Sequence, residues 1–174
     1  QEPTRWTAAS RRESPARIRD LFTPAYRALT FSGASLAMVN LLTWWSVNAF
    51  IPTVAVGLAN RESVGATAVA ATVLAEQWKA LATNVFDAGA VLGCLLTIPA
   101  AKVLGRRPMY ALYFLVGGIS VLAAFGLPLA PQTRLYMYFP IGLAVWGITA
   151  SFSFYLPELF PTRLRGTGSG FCFN

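Results

Sequence analysis

Between Ala28 and Asn60 the chain runs for 33 residues without a charged side chain. A helix that crosses a bilayer needs about 20 consecutive, mostly apolar residues, so this run alone is long enough to cross. Three more follow it. Residues 80–101 are interrupted only by Asp87, residues 108–133 are uncharged for 26 positions, and residues 135–157 for 23. A membrane β-barrel would show alternating segments of about 10 residues, and runs such as Val91-Leu92-Gly93-Cys94-Leu95-Leu96 do not alternate. A water-exposed surface needs roughly 25% charged residues, whereas this chain has 12%, with 55% hydrophobic residues. The expected fold class is therefore all-α: a polytopic membrane helical bundle with helices at about 28–58, 67–104, 108–130 and 134–160. The turn between the second and third helices, Val103 to Pro108, is very short. The segment Arg61–Lys79, rich in Ala and Val and free of Pro, is expected to run as helix into the second span.

The basic residues set an orientation. With the N-terminal segment on the cytoplasmic side, Arg5, Arg11, Arg12, Arg17, Arg19, Arg27, Lys102, Arg106, Arg107, Arg163 and Arg165 are inside, 11 in all. Arg61, Lys79 and Arg134 are the 3 outside. An excess of Lys and Arg in short loops marks the cytoplasmic side, so the net charge of +7 has a membrane explanation, and a nucleic-acid partner is not expected. The chain opens with Gln and carries a polar, Pro-containing stretch, 1–27, which reads as a cytoplasmic linker ending in a short amphipathic piece at 18–26. Residues 28–174 read as a partial membrane bundle. The whole reads as a piece of a larger protein.

The absence of His from the sequence leaves no imidazole metal site, His relay or His-dependent triad here. Cys94 and Cys172 sit where a disulfide is not favoured. Gly166-Thr167-Gly168-Ser169-Gly170 lacks the Lys and spacing of a phosphate-binding loop. No metal, no cofactor and no enzyme activity are expected. Asp87 and Glu158 lie near opposite membrane faces, so they cannot share one catalytic site.

Carboxylates in membranes are costly and mark cavities, partners or interfaces. Asp87 reads either as a proton or substrate group or as an interfacial acid, solvated or paired with Lys79. Glu158 lies one turn before Pro161, which must end the helix, and two arginines follow it. In the first span Asn40, Trp44 and Asn48 recur at every fourth residue and share one face; such a stripe suits a solute cavity better than lipid. Trp44 and Trp45 are adjacent and cannot both face that cavity. Trp146, Thr149, Ser153 and Tyr155 are the corresponding candidates in the fourth span. Gly89 and Gly93 form a small-xxx-small pair read as close helix packing.

The run PELFPTRLRGTGSG, Pro157 to Gly170, resembles the segment after the tenth helix of the major facilitator superfamily, in its sugar-porter-like and metabolite:proton symporter branches. LGRRP, Leu104 to Pro108, resembles the loop after the eighth helix of the same families. One outward-going and one inward-going helix separate the two runs, as the resemblance requires. It covers nearly the whole chain and implies helices seven to ten of a twelve-helix transporter, with residues 1–27 as the end of its central loop.

Two departures are visible. An Asp usually stands where this chain has Lys102, and glucose-type porters carry a Trp where it has Ser153. The resemblance then implies secondary active transport of a small organic solute, a metabolite or organic acid, proton-coupled, by alternating access. A sugar uniporter or a non-transporting channel-like or receptor-like protein is the alternative. The implied setting is multi-pass in the plasma (inner) membrane, with the solute, the lipid bilayer and the missing N-terminal half as partners. By itself the chain is then expected to be inactive.

The resemblance also gives the inner-face charges a role. Arg106, Arg107, Glu158, Arg163 and Arg165 would form a cytoplasmic gating cluster, closed when the cavity opens outward. The plain alternative is topology: the arginines obey the charge bias and Glu158 only offsets them. The substrate cavity would be lined by Asn40, Trp44, Asn48, Asp87, Trp146 and Ser153.

Overall fold

The computed structural model describes residues 16–174; the expectations for Arg5, Arg11 and Arg12 lie outside them. Among the described residues all regular structure is helical. A 3-10 turn, Ile18–Phe22, precedes α1 (Arg27–Glu62), α2 (Ala68–Leu104), α3 (Arg106–Gly126), α4 (Pro131–Tyr136), α5 (Tyr138–Glu158) and α6 (Arg165–Phe173). Four helical stretches are long and apolar enough to cross a membrane: α1, α2, α3, and α4 with α5 together. The chain is an integral, multi-pass membrane protein, as the uncharged runs predict.

The boundaries differ from the expected ones by a few residues, and proline explains most of the difference. α3 begins at Arg106 rather than 108 because Pro108 stands in its first turn, where amide hydrogens have no helical partner. It ends at Gly126 rather than 130. Leu127 precedes Pro128 and is pushed into extended backbone, φ −97° and ψ 148°. The expected single helix over 134–160 is two pieces. Pro140 has no N–H, and its ring opposes the carbonyl four residues back, at Tyr136, which is where α4 stops. α5 then ends at Glu158, between Pro157 and Pro161.

α2 starts where Thr67 accepts a hydrogen bond from the Ala70 amide at 3.3 Å, so Ala68–Lys79 is helical, but the expected helix over Arg61–Lys79 is broken at 63–67, where Gly65 turns the chain at φ 90°. The turn from α2 to α3 is one residue, Gly105, at φ 83°, a left-handed conformation that costs a residue with a Cβ about 1 kcal/mol.

The described chain divides into two compact units, one of residues 42–151 and the other of 16–41 with 152–174. In the first, α2 and α5 pack backbone to backbone. A Cβ on Gly89 would strike the carbonyl of Phe139, one on Gly93 that of Leu143, and one on Gly142 that of Phe86. The small-xxx-small reading of Gly89 and Gly93 holds, and Gly142 answers them from the partner helix. Around this seam lie the buried Ile51, Ala55, Trp78, Phe86, Tyr138, Ile141 and Val145.

In the second unit the 3-10 turn is anchored. Leu21 is fully buried, its carbonyl accepts from the Thr30 hydroxyl at 2.9 Å, and Phe22 meets Phe31 and Phe171 edge to face.

The seam generates a test. Gly142→Val should destabilise the folded bundle by about 1–3 kcal/mol, the usual cost of forced overpacking, whereas Gly118→Val, with nothing near its Cβ position, should leave the melting temperature nearly unchanged. Thermal unfolding in detergent compares the two.

Candidate functional site

Near the middle of α1, Trp44 meets Trp45 at 4.8 Å between ring centroids and 75°, and Trp146 of α5 at 6.3 Å and 87°. Edge-to-face geometry puts the positive ring edge on the negative face of its neighbour. Successive helical residues point about 100° apart, so Trp44 is half-buried against α5 while Trp45 is 62% exposed.

The polar residues predicted beside them are less uniform. Asn48 is exposed, and its amide donates back to the Trp44 carbonyl at 2.9 Å, so its donor is spent on its own helix. Asn40 is buried, and Ser153, with Asn40 in the other compact unit, is exposed. Asp87 is exposed on α2, and its suggested partner Lys79 instead pairs with Glu76, one turn earlier. The structure thus joins Trp44, Asn48 and Trp146 and leaves Asp87 apart from them.

A buried polar node was not foreseen from the sequence. The Thr97 hydroxyl proton is shared between the carbonyls of Gly93 at 2.7 Å and Gly147 at 2.9 Å, and its oxygen accepts from the Tyr113 hydroxyl at 3.1 Å. The hydroxyls of Tyr110 and Ser151 meet at 2.7 Å. These bonds tie α2, α3 and α5 together beside Trp146, whose carbonyl also accepts from the Cys94 thiol at 3.7 Å. The available signal was spacing: Thr97 lies four residues beyond Gly93, on the face that the glycines already mark as packed.

At the ends of the helices, Arg106 and Arg107 open α3 and are exposed. Arg165 donates from Nε to the Pro157 carbonyl at 3.0 Å. Arg163 pairs with Asp20 of the 3-10 turn at 2.9 Å, a partner absent from the expected cluster. The Arg17 backbone amide donates to the same carboxylate at 3.3 Å. That bond, with the Arg163 guanidinium behind it, holds Asp20 below the usual carboxylate range despite some desolvation. Among the described residues no three His, Cys, Asp or Glu side chains converge as metal ligands.

Four apolar spans and glycine-seamed helices define a class: a polytopic helical membrane protein. Residues 34–174 match the family described as sugar (and other) transporter. The chain belongs to that family, within the major facilitator superfamily. It is 31% identical over 86 residues to a protein of Cupriavidus pinatubonensis (strain JMP 134 / LMG 1197) named a probable 4-methylmuconolactone transporter; the match covers 49% of this chain and 20% of that protein. The chain therefore spans about a fifth of that relative's length. No solved structure matches the chain.

The Asp20 clasp has a defined pH window. A carboxylate whose folded pKa is lowered contributes stability above its unfolded value and loses it as pH falls through the lower folded value. The clasp should therefore be intact throughout the neutral range and release only below pH 3.8, the ordinary value for the group. Asp20→Asn should raise proteolytic cleavage at 17–26 at pH 7, and the wild-type chain should show no such rise between pH 5 and 8.

Proposed function

We propose that this chain forms part of the C-terminal half of a secondary transporter that moves a small organic solute, an organic acid or comparable metabolite, by alternating access with proton coupling. Family membership across residues 34–174 is the observation that carries the reading. Residues 16–27 are then the end of a cytoplasmic loop, and the four spans correspond to helices seven to ten, partnered by the remaining half of the transporter. The relative's name specifies a small organic solute, which agrees with this class.

The proposed cavity wall centres on Trp44 and Trp146, with Asn40, Asn48, Asp87 and Ser153 as further lining. The runs 28–60 and 135–157, which carry the indoles, are uncharged, so this part of the wall suits rings and acceptor oxygens. We assign the gate to Arg106, Arg107, Glu158, Arg163 and Arg165, charges whose pairing would differ between states and whose balance substrate and proton would shift.

Uptake of a panel of labelled organic acids and sugars into proteoliposomes holding the full-length transporter, with and without an imposed pH gradient, tests this. Organic-acid uptake should rise with an inward proton gradient; uptake of sugars alone, indifferent to the gradient, would exclude it. Trp44→Ala should raise KM about tenfold or more, the loss of about 1.4 kcal/mol or more of binding. Glu158→Gln should lower the turnover rate with KM nearly unchanged. A variant of Glu158 that loses binding at wild-type turnover would move it from gate to substrate site.

A further inference from the structure

The 3-10 turn before α1 has two sides. Inward, Leu21 is fully buried, and the Asp20 carboxylate accepts from the Arg17 amide and the Arg163 guanidinium. Outward, Arg17, Ile18, Arg19 and Phe22 are exposed, and Arg27 is exposed at the first position of α1. Asp20 is the one acid between residues 16 and 41. With its carboxylate turned to Arg163, the outward side carries three guanidinium groups and no acid of that segment. Among them stand two large apolar side chains, Ile18 at 60% and Phe22 at 43% exposed.

The contacts of the turn fix its depth. The uncharged run of α1 begins at Ala28, directly after Arg27. The Leu21 carbonyl accepts from the hydroxyl of Thr30, within the first turn of that run. The Phe22 ring meets Phe31, the next residue, at 6.1 Å, and Phe171 of α6 at 5.4 Å. The 3-10 turn is thus folded back against the first turn of a membrane-crossing helix, at the boundary between hydrocarbon and water. Phe31 and Phe171 are themselves exposed, so Phe22 joins an aromatic surface patch rather than filling a core.

We propose that the outward side of this turn binds anionic phospholipid: Ile18 and Phe22 enter the interface beside Phe31, and Arg17, Arg19 and Arg27 hold headgroup phosphates. Basic and apolar side chains interleaved at the end of a spanning helix are what an anionic membrane surface attracts. A guanidinium meets phosphate oxygens in two parallel hydrogen bonds. A zwitterionic lipid would cover the same apolar side chains but has no net charge to offset three cations. The buried side makes the site ready-made, because Leu21, Thr30 and the Asp20–Arg163 pair orient the turn before lipid arrives. The site is independent of the solute and of transport; it needs only the multi-pass membrane setting of the chain.

Fluorescence quenching on the full-length protein in nanodiscs tests the proposal. A bimane on Ile18→Cys, with every other cysteine replaced by serine, is read against spin-labelled phosphatidylglycerol and spin-labelled phosphatidylcholine at equal mole fraction. Phosphatidylglycerol should quench several-fold more strongly. Arg17→Gln, Arg19→Gln and Arg27→Gln together should bring the two lipids level, whereas Arg61→Gln, at the far end of α1, should leave the preference unchanged. Equal quenching by both lipids without the arginine substitutions would make the turn ordinary lipid boundary and overturn the proposal. So would a preference that survives the triple substitution. Quenching by neither lipid would show that another part of the protein covers the turn, which also overturns it. Inorganic phosphate at constant ionic strength should not relieve the quenching; relief would assign the arginines to a free anion instead of a lipid.

Discussion

No water enters the hydrocarbon layer to satisfy a peptide group, so every backbone N–H and C=O of a crossing segment must be bonded within it. That constraint decides the fold before any side chain is considered. It is why the four long uncharged runs can only be helices, and why each departure from helix sits at a proline or a left-handed glycine. Pro128 and Pro161 end helices, and Pro140 divides the fourth crossing stretch. Pro108 is harmless because it occupies a first turn. Pro52 and Pro99 lie inside α1 and α2 and remove one backbone bond each without ending the helix.

The same constraint sorts the hydroxyls. Thr53, Thr72, Thr83 and Ser120 donate to the carbonyl four residues back on their own helix. Such a hydroxyl is satisfied locally and says nothing about neighbours. Thr97 does more: it also reaches Gly147 and Tyr113 on two other helices, at the depth where α2 and α5 touch through glycine. Interhelical hydrogen bonds in membranes average only about 0.6 kcal/mol, so the node contributes position more than stability. It fixes the α5 backbone at Gly147, next to the Trp146 ring that packs on Trp44. Orientation of the proposed cavity wall thus depends on contacts between backbones that only Gly89, Gly93 and Gly142 permit.

Much of this was legible in the sequence because it follows from charge and glycine spacing. The four spans, the short turn at Gly105 and the close seam at Gly89 and Gly93 needed no tertiary information. The break at Met137 was overlooked because hydropathy ran unbroken through Pro140, although that residue already carried the signal. Side-chain pairing was harder. Lys79 can reach Asp87 or Glu76 on one helix, and the shorter separation prevails. Asp20 and Arg163 are 143 residues apart, so no local pattern could join them. Asn48 fits a cavity-facing stripe by period alone, yet its amide closes on its own helix, a choice that spacing does not encode.

The run from Pro157 to Gly170 builds a corner with its apolar members and carries the charges proposed as a gate. Its apolar members Phe160 and Leu164 are buried at 2% and 0%, and Gly168 lies so close to the Phe160 ring that a Cβ there would collide with it. These residues build the corner between α5 and α6, and they tolerate little change in volume. Arg165 completes the corner by closing on the Pro157 carbonyl left at the end of α5. Arg163 faces the other way and holds the 3-10 turn through Asp20, while Glu158 stays on the exposed side of the last turn. A rigid apolar corner therefore carries charges whose partners lie on different segments. A change of partner at Arg163 or Glu158 leaves Phe160 and Leu164 undisturbed, so the gate proposed here can open without unfolding the bend that positions it.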